Sequence, residues 1–203
     1  MVKVLVTHGI GNRNTLPQVK QKYAQLMKEK PEDVHFTFYA NILNSSNWDK
    51  SKRGNLLKWF WKLDMWEDRV DDVLAFFLDE DTRNNVISTI QTDLLVHRPK
   101  YIVAHSLGSV AVLMALKQAG IKAIPMPTLI LCGSPMAMLT VRWFVGDLKS
   151  VHAKDIYALS GEEDPVAKFG KSQWHPNRVT HISLPNQGHD FDKYLESADL
   201  LIY

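Results

Sequence analysis

Short runs of β-branched and aliphatic residues alternate with segments of helical periodicity along this chain, and this alternation restricts the fold more than any other feature. Six runs are predicted to be strands: residues 2–7, 34–39, 101–104, 128–132, 155–159 and 179–184. Helices are predicted at residues 18–30, 84–96, 109–118 and 189–202. Strands that alternate with helices form βαβ units. We therefore predict an α/β fold with a mostly parallel sheet of about six strands and helices on both faces.

The size and composition of the chain indicate one globular unit. Its 203 residues are enough to bury a sizeable core, so we predict a single domain over residues 1–203. A formal net charge of +2, without a long basic run, gives no reason to expect a nucleic-acid partner. The first residues lack the layout of a signal peptide, and no apolar stretch approaches the roughly 20 residues of a membrane span. We therefore expect a cytoplasmic protein.

The sequence around Ser106 places a strand, a serine and a helix in direct succession. Small residues stand two positions before the serine (Ala104) and two positions after it (Gly108). This is the context of a nucleophile elbow, in which a serine occupies a tight turn and faces the N-terminus of a helix. The first small residue is Ala where the motif has Gly. A serine that simply caps a helix is the alternative interpretation.

A nucleophilic serine needs a base, and the base needs an acid that orients it. Asp164 follows the predicted strand 155–159, and His189 follows the predicted strand 179–184. Because the carboxyl ends of parallel strands meet at one edge of a sheet, we expect both residues to lie on the same edge as Ser106.

Neighbouring residues offer alternatives for the acid and the base. Glu162 and Glu163 adjoin Asp164, which is preferred because the following Pro165 stiffens its turn. His181 is a weaker candidate base because it lies inside a predicted strand.

A loop that contains two glycines follows the first predicted strand. The loop, His8-Gly9-Ile10-Gly11, lacks the third Gly of a dinucleotide-binding fingerprint and the Lys of a P-loop. Serine hydrolases need backbone N–H donors for an oxyanion. We expect these donors to be the N–H groups of Ile10 and Leu107, with His8 bracing the loop by hydrogen bonding.

These segments together resemble small esterase-like and lipase-like members of the α/β-hydrolase superfamily. The matching segments are residues 8–11, 104–108, 160–166 and 188–190, and their order spans nearly the whole chain. The resemblance implies a compact α/β-hydrolase fold, with no cofactor and no metal ion. The antiparallel strands that precede the first matching strand in larger members have no counterpart in this sequence. The residues that the resemblance assigns to the site are the triad Ser106, Asp164 and His189, and the supporting residues His8, Gly9, Gly11, His105 and Gly108.

Residues 44–81 differ in character and are predicted to be a helical insertion. Their helical spacing fits a cap packed on the core, but also an acyl-binding wall or a lipid-facing surface. Lysines beside the tryptophans favour peripheral membrane contact, whereas acidic residues later in the segment argue against a uniformly basic face. The aromatic residues of the insertion are Trp48, Trp59, Phe60, Trp61, Trp66, Phe76 and Phe77.

The sequence thus predicts a serine hydrolase that transfers the acyl group of an ester to water through an acyl-enzyme. A thioesterase or amidase with the same triad is an alternative, and so is a non-catalytic binding module on a hydrolase fold. The expected partner is a small-molecule or lipid-like acyl substrate. The sequence does not indicate an oligomeric state.

Overall fold

A computed structural model of the protein describes residues 2–8, 16–44, 67–167, 174–175 and 177–203. The described strands are β1 (Val4–Thr7), β2 (Val34–Thr37), β3 (Tyr101–His105), β4 (Thr128–Cys132), β5 (Ile156–Gly161) and β6 (Thr180–Leu184). The described α-helices are α1 (Leu16–Leu26), α2 (Ala40–Asn44), α3 (Glu67–Leu78), α4 (Glu80–His97), α5 (Leu107–Ala115), α6 (Leu139–Val145) and α7 (Phe191–Ala198).

The six strands form one sheet in the order β2-β1-β3-β4-β5-β6, and every neighbouring pair is parallel. The parallel six-stranded sheet predicted from the sequence is therefore confirmed. The chain leaves β1 toward β2 and returns on the other side of β1 to form β3. This reversal of direction opens a crevice between the carboxyl ends of β1 and β3, where open α/β sheets bind their ligands.

Side chains that alternate along the central strands enter two separate cores. Leu5, Ile102 and Leu131 face one core, which α4 and α5 cover. Val6 and Val103 face the other core, which α1 and α7 cover. Both faces of the central strands are buried. This explains why their sequences are continuous apolar runs and do not alternate between apolar and polar residues. The predicted helices on both faces are confirmed.

The described part of the aromatic insertion packs on the core. Phe76 of α3 is fully buried, and Phe77 makes an edge-to-face contact with Phe144, with ring centroids 4.8 Å apart. The predicted insertion runs to residue 81, but Leu78 ends α3 and the side chain of Asp79 caps α4. The remaining aromatic residues of the insertion, Trp48, Trp59, Phe60, Trp61 and Trp66, lie outside the described residues.

Two of the described α-helices, α2 and α6, were not predicted from the sequence. Leu139 and Trp143 of α6 are largely exposed, so the helix shows no apolar face of ordinary width. Within the described residues, no helix combines the length and the apolar character needed to cross a bilayer.

Candidate active site

Ser106 occupies the turn between β3 and α5, with φ 53° and ψ −128°. A positive φ is rare for a residue with a side chain, and such a conformation costs on the order of 1–3 kcal/mol, which the surrounding structure must supply. The backbone N–H of Ser106 donates to the carbonyl of Cys132 at 3.0 Å, so β4 helps to hold the turn. The helix begins at the next residue, and its N-terminus faces the serine.

Close packing around the turn explains the glycine two residues after the serine. A Cβ on Gly108 would lie 3.0 Å from the hydroxyl of Tyr39 and 3.1 Å from the carbonyl oxygen of Thr7. A larger residue would therefore push α5 away from β1. The elbow motif predicts a small residue at this position from the sequence, and the structure supplies the steric reason.

His189 lies between Ser106 and Asp164 and contacts both. Its Nε2 atom is 3.1 Å from Ser106 Oγ, and its Nδ1 atom is 2.8 Å from Asp164 Oδ2. With the proton on Nδ1, the imidazole donates to the carboxylate and accepts from the serine hydroxyl. The structure thus brings these three residues into one hydrogen-bonded chain, although they are far apart in the sequence. Glu162 and Glu163 are exposed, and His181 Nε2 lies beside the carbonyl of Trp174.

The carboxylate of Asp164 is fully buried and has four hydrogen-bond donors. Oδ2 accepts from His189 and from the hydroxyl of Tyr194 at 2.6 Å. Oδ1 accepts from the backbone N–H groups of Val166 at 2.8 Å and Ala167 at 3.1 Å. Burial raises the pKa of Asp164, but the hydrogen bond to His189 and the other donors outweigh burial, so the pKa lies below its ordinary value. Asp164 is therefore ionised at neutral pH.

Comparison with known proteins shows that this chain resembles solved structures in its fold. No protein-family model matches this sequence, and no curated protein is significantly similar to it. The solved structure of SOBER1 from Arabidopsis thaliana matches 99% of this chain and 97% of its own, with a TM-score of 0.52 and 14% identity. The fold is that of an α/β-hydrolase.

Two other solved structures show weaker likeness. The esterase domain of a Rhodothermus marinus protein has a TM-score of 0.48 and 12% identity, over 98% of this chain and 83% of its own. An S-formylglutathione hydrolase from Agrobacterium tumefaciens has a TM-score of 0.48 and 10% identity, over 98% of this chain and 80% of its own.

Tyr194 supports the carboxylate of Asp164 and was not found by sequence reasoning. Its hydroxyl accepts from the backbone N–H of Gly161 at 2.7 Å and donates to Asp164 Oδ2. It thereby ties the end of β5 to the acid that follows it. Burial and the adjacent Asp164 charge raise the pKa of Tyr194, so the hydroxyl remains a donor. The only sequence signal is a phenol on the apolar face of α7.

Gly133 was also missed. It follows β4 with φ +55°, and a Cβ there would lie 2.7 Å from Asp164 Oδ2 and 2.9 Å from His189 Nδ1. The glycine therefore leaves room for the hydrogen bond between the acid and the base. The available sequence signal was a glycine directly after a buried strand. Because β4 carries no candidate reacting residue at its end, this glycine was not connected with the site.

The oxyanion donors predicted from the sequence are described only in part. Leu107 is the first residue of α5, and N–H groups in the first turn of a helix have no acceptor within the helix. Its N–H is therefore free of the helix ladder and lies directly after the serine. Gly9, Ile10 and Gly11 lie outside the described residues.

The two other histidines assigned to the site by the resemblance form a ring cluster beneath His189. The His105 ring lies 4.5 Å from the His189 ring and stacks on Phe191 at 4.7 Å. The His8 ring lies 4.8 Å from Phe191, at a steep angle, and 5.1 Å from His105. His8 and His105 therefore contact the surroundings of His189, whereas the ring nitrogens of His189 contact Ser106 and Asp164.

Proposed function

We propose that this protein is a serine hydrolase that cleaves ester-type acyl bonds. The observation that carries the proposal is the continuous chain from Ser106 Oγ through His189 to the buried Asp164 carboxylate, with distances of 3.1 Å and 2.8 Å. The α/β-hydrolase fold agrees with this proposal because it places a nucleophile, an acid and a base at the carboxyl edge of one sheet.

The proposed reaction begins with attack by Ser106 on the carbonyl carbon of an ester. His189 Nε2 takes the proton from the hydroxyl as the new C–O bond forms. The charge that develops on the carbonyl oxygen is held by the N–H groups of Leu107 and Ile10. The positive end of the α5 dipole stabilises the same charge.

The alkoxide of the ester then leaves, and the imidazolium of His189 returns the proton to it as an alcohol. Water attacks the acyl-enzyme next, with His189 again as the base. The resulting tetrahedral intermediate breaks its bond to Ser106, which releases the carboxylic acid and restores the serine. Each half-reaction moves one proton to the imidazole and back. The role of Asp164 is to hold His189 in the required tautomer and to stabilise its charged form.

The three residues of the proposed triad do not by themselves select the leaving group. Thioesters and amides would use the same three residues, so leaving-group preference is decided by a substrate panel and not by the triad.

The test is covalent labelling with a fluorophosphonate probe, together with hydrolysis of short-chain p-nitrophenyl esters. We expect the probe to modify Ser106, and Ser106→Ala to abolish labelling and to lower kcat by at least about 10⁴-fold. Ser197→Ala is the matched control because its hydroxyl bonds only the nearby carbonyl of Lys193 on the exposed side of α7. A folded wild-type protein that neither labels nor hydrolyses esters, thioesters or amides would refute the proposal.

A further inference from the structure

A second histidine–aspartate cluster lies away from the candidate active site. His35 is the second residue of β2, and Asp93 and His97 stand four positions apart on α4, so they share one face of the helix. One nitrogen or oxygen atom of each residue lies within 4.8 Å of the corresponding atoms of the other two. All three side chains are half-buried, so solvent and ions can reach them.

The geometry of this cluster is close to that of a metal site. His35 Nε2 and Asp93 Oδ2 are 3.0 Å apart, and the rings of His35 and His97 stack with centroids 3.8 Å apart and planes inclined by 29°. Zinc bonds to nitrogen and oxygen of about 2.0–2.2 Å place tetrahedral ligands about 3.4 Å from one another. The His35–Asp93 distance of 3.0 Å is close to this value, and the 4.8 Å limit of the cluster lies above it.

An ordinary ion pair accounts for only two of these three residues. The ring of His97 stacks on His35 and brings a third ligand atom to within 4.8 Å of the other two. A third converging donor is a feature of a metal site and not of an ion pair.

We propose that His35, Asp93 and His97 bind a divalent zinc ion. Two imidazoles and one carboxylate are the donors that zinc prefers, whereas calcium and magnesium prefer oxygen ligands throughout. The three residues leave one position open, which water would fill. His35, on the edge strand β2, would be joined through the metal to α4.

The proposed metal site is separate from the proposed hydrolysis. His97 ends α4, and the chain then enters β3 at Tyr101, so the cluster faces the amino ends of the strands. Ser106 lies beyond the carboxyl end of β3. Zinc at this position would fasten the edge strand and would not contact the acyl substrate.

The experiment is titration of the full-length, chelator-treated protein with Zn²⁺ by isothermal calorimetry, followed by thermal unfolding with and without Zn²⁺. We expect one site in the wild type and a higher Tm with the metal. His97→Ala and Asp93→Asn are expected to weaken binding at least about tenfold and to remove the Tm increase. The matched control is His175→Asn, since His175 has a positive φ that asparagine tolerates.

A second measurement distinguishes zinc bound at this cluster from zinc bound by His189. His97→Ala is expected to retain ester hydrolysis, and His189→Ala is expected to retain zinc binding. If His97→Ala does not fold, His35→Gln is tested in its place. Absence of binding at micromolar Zn²⁺, or binding that is unchanged by changes at residues 35, 93 and 97, would overturn the proposal.

Discussion

Two histidine–aspartate pairs in this molecule have similar contact distances and differ in the burial of the aspartate and in the group that the histidine meets next. His189 and Asp164 are 2.8 Å apart, and His35 and Asp93 are 3.0 Å apart. The histidine side chains are 24% and 25% exposed, and the pKa of each aspartate lies below its ordinary value. Neither the contact nor the titration behaviour therefore distinguishes a catalytic pair from another kind of pair.

The two pairs differ in the surroundings of the carboxylate and in the third residue that contacts the histidine. Asp164 is fully buried with four donors, whereas the side chain of Asp93 is 23% exposed. The far nitrogen of His189 meets a serine in a strained turn, but the ring of His35 stacks on a second imidazole. The proposal that His189 is the catalytic base therefore rests on the serine that it faces and on the buried carboxylate that it contacts, and not on the histidine–aspartate pair alone.

Among the changes that compare the two pairs, the largest expected effect comes from replacing Asp164 by asparagine. Asp164→Asn removes the acceptor that fixes the tautomer of His189, so kcat for ester hydrolysis should fall by about 10³–10⁴-fold. Asp93→Asn is the matched change in the other pair and should leave kcat within about twofold of the wild type. Equal losses in both variants would mean that the two pairs act together.

Gly133→Ala tests the space around the catalytic pair. Its Cβ would collide with Asp164 Oδ2 and His189 Nδ1, and its backbone has a positive φ, so we expect kcat to fall by about 10–100-fold. Gly120→Ala is the control, because a Cβ there meets nothing within 4 Å. Stopped-flow or steady-state kinetics on both variants measures the difference. A fully active Gly133→Ala would show that the pair tolerates displacement.

Tyr194→Phe removes one of the four donors to Asp164 and leaves the buried N–H of Gly161 without its acceptor. We expect a loss of about 1–3 kcal/mol in the free energy of unfolding and about a tenfold fall in kcat. KM should change little because the phenol does not face the serine. Tyr203→Phe, at an exposed residue, is the control in denaturant titrations and kinetics. A change confined to KM would contradict a positioning role for Tyr194.

The smallest expected effect is the pH dependence of stability. The pKa of Asp164 lies below its ordinary value in the folded protein, so the unfolded chain binds a proton at higher pH than the folded chain. The stabilisation is present above the unfolded pKa and is lost as pH falls through the folded pKa. Urea unfolding between pH 6 and pH 2 should show a shallower loss for Asp164→Asn than for the wild type. An identical slope would show that Asp164 does not titrate differently on folding.

The sheet and the meeting of three candidate site residues at its edge could be predicted because they depend on local order. Apolar runs located the strands, and the direction of a parallel sheet brought Ser106, Asp164 and His189 to one edge. The start of α4 was missed because Asp79 caps the helix inside a segment that had been interpreted as an insertion.

Residues whose role depends on tertiary contacts have no recognisable pattern in the local sequence. The hydroxyl of Tyr194 meets Asp164 across 30 positions of sequence, and Gly133 touches the pair only after β4, β5 and β6 have aligned. His35 stands far from Asp93 and His97 in the sequence, so their spacing matches no compact metal motif.

The order of the triad along the chain has a consequence for the timing of activity during synthesis. Ser106 and His189 are separated by 83 residues, although their side chains touch in the folded protein. At a translation rate of about 5–20 residues per second, Ser106 exists for about 4–17 s before His189 is made. Under the proposed mechanism the nascent chain therefore has no base for its serine during that interval, and the full-length chain is required for hydrolysis.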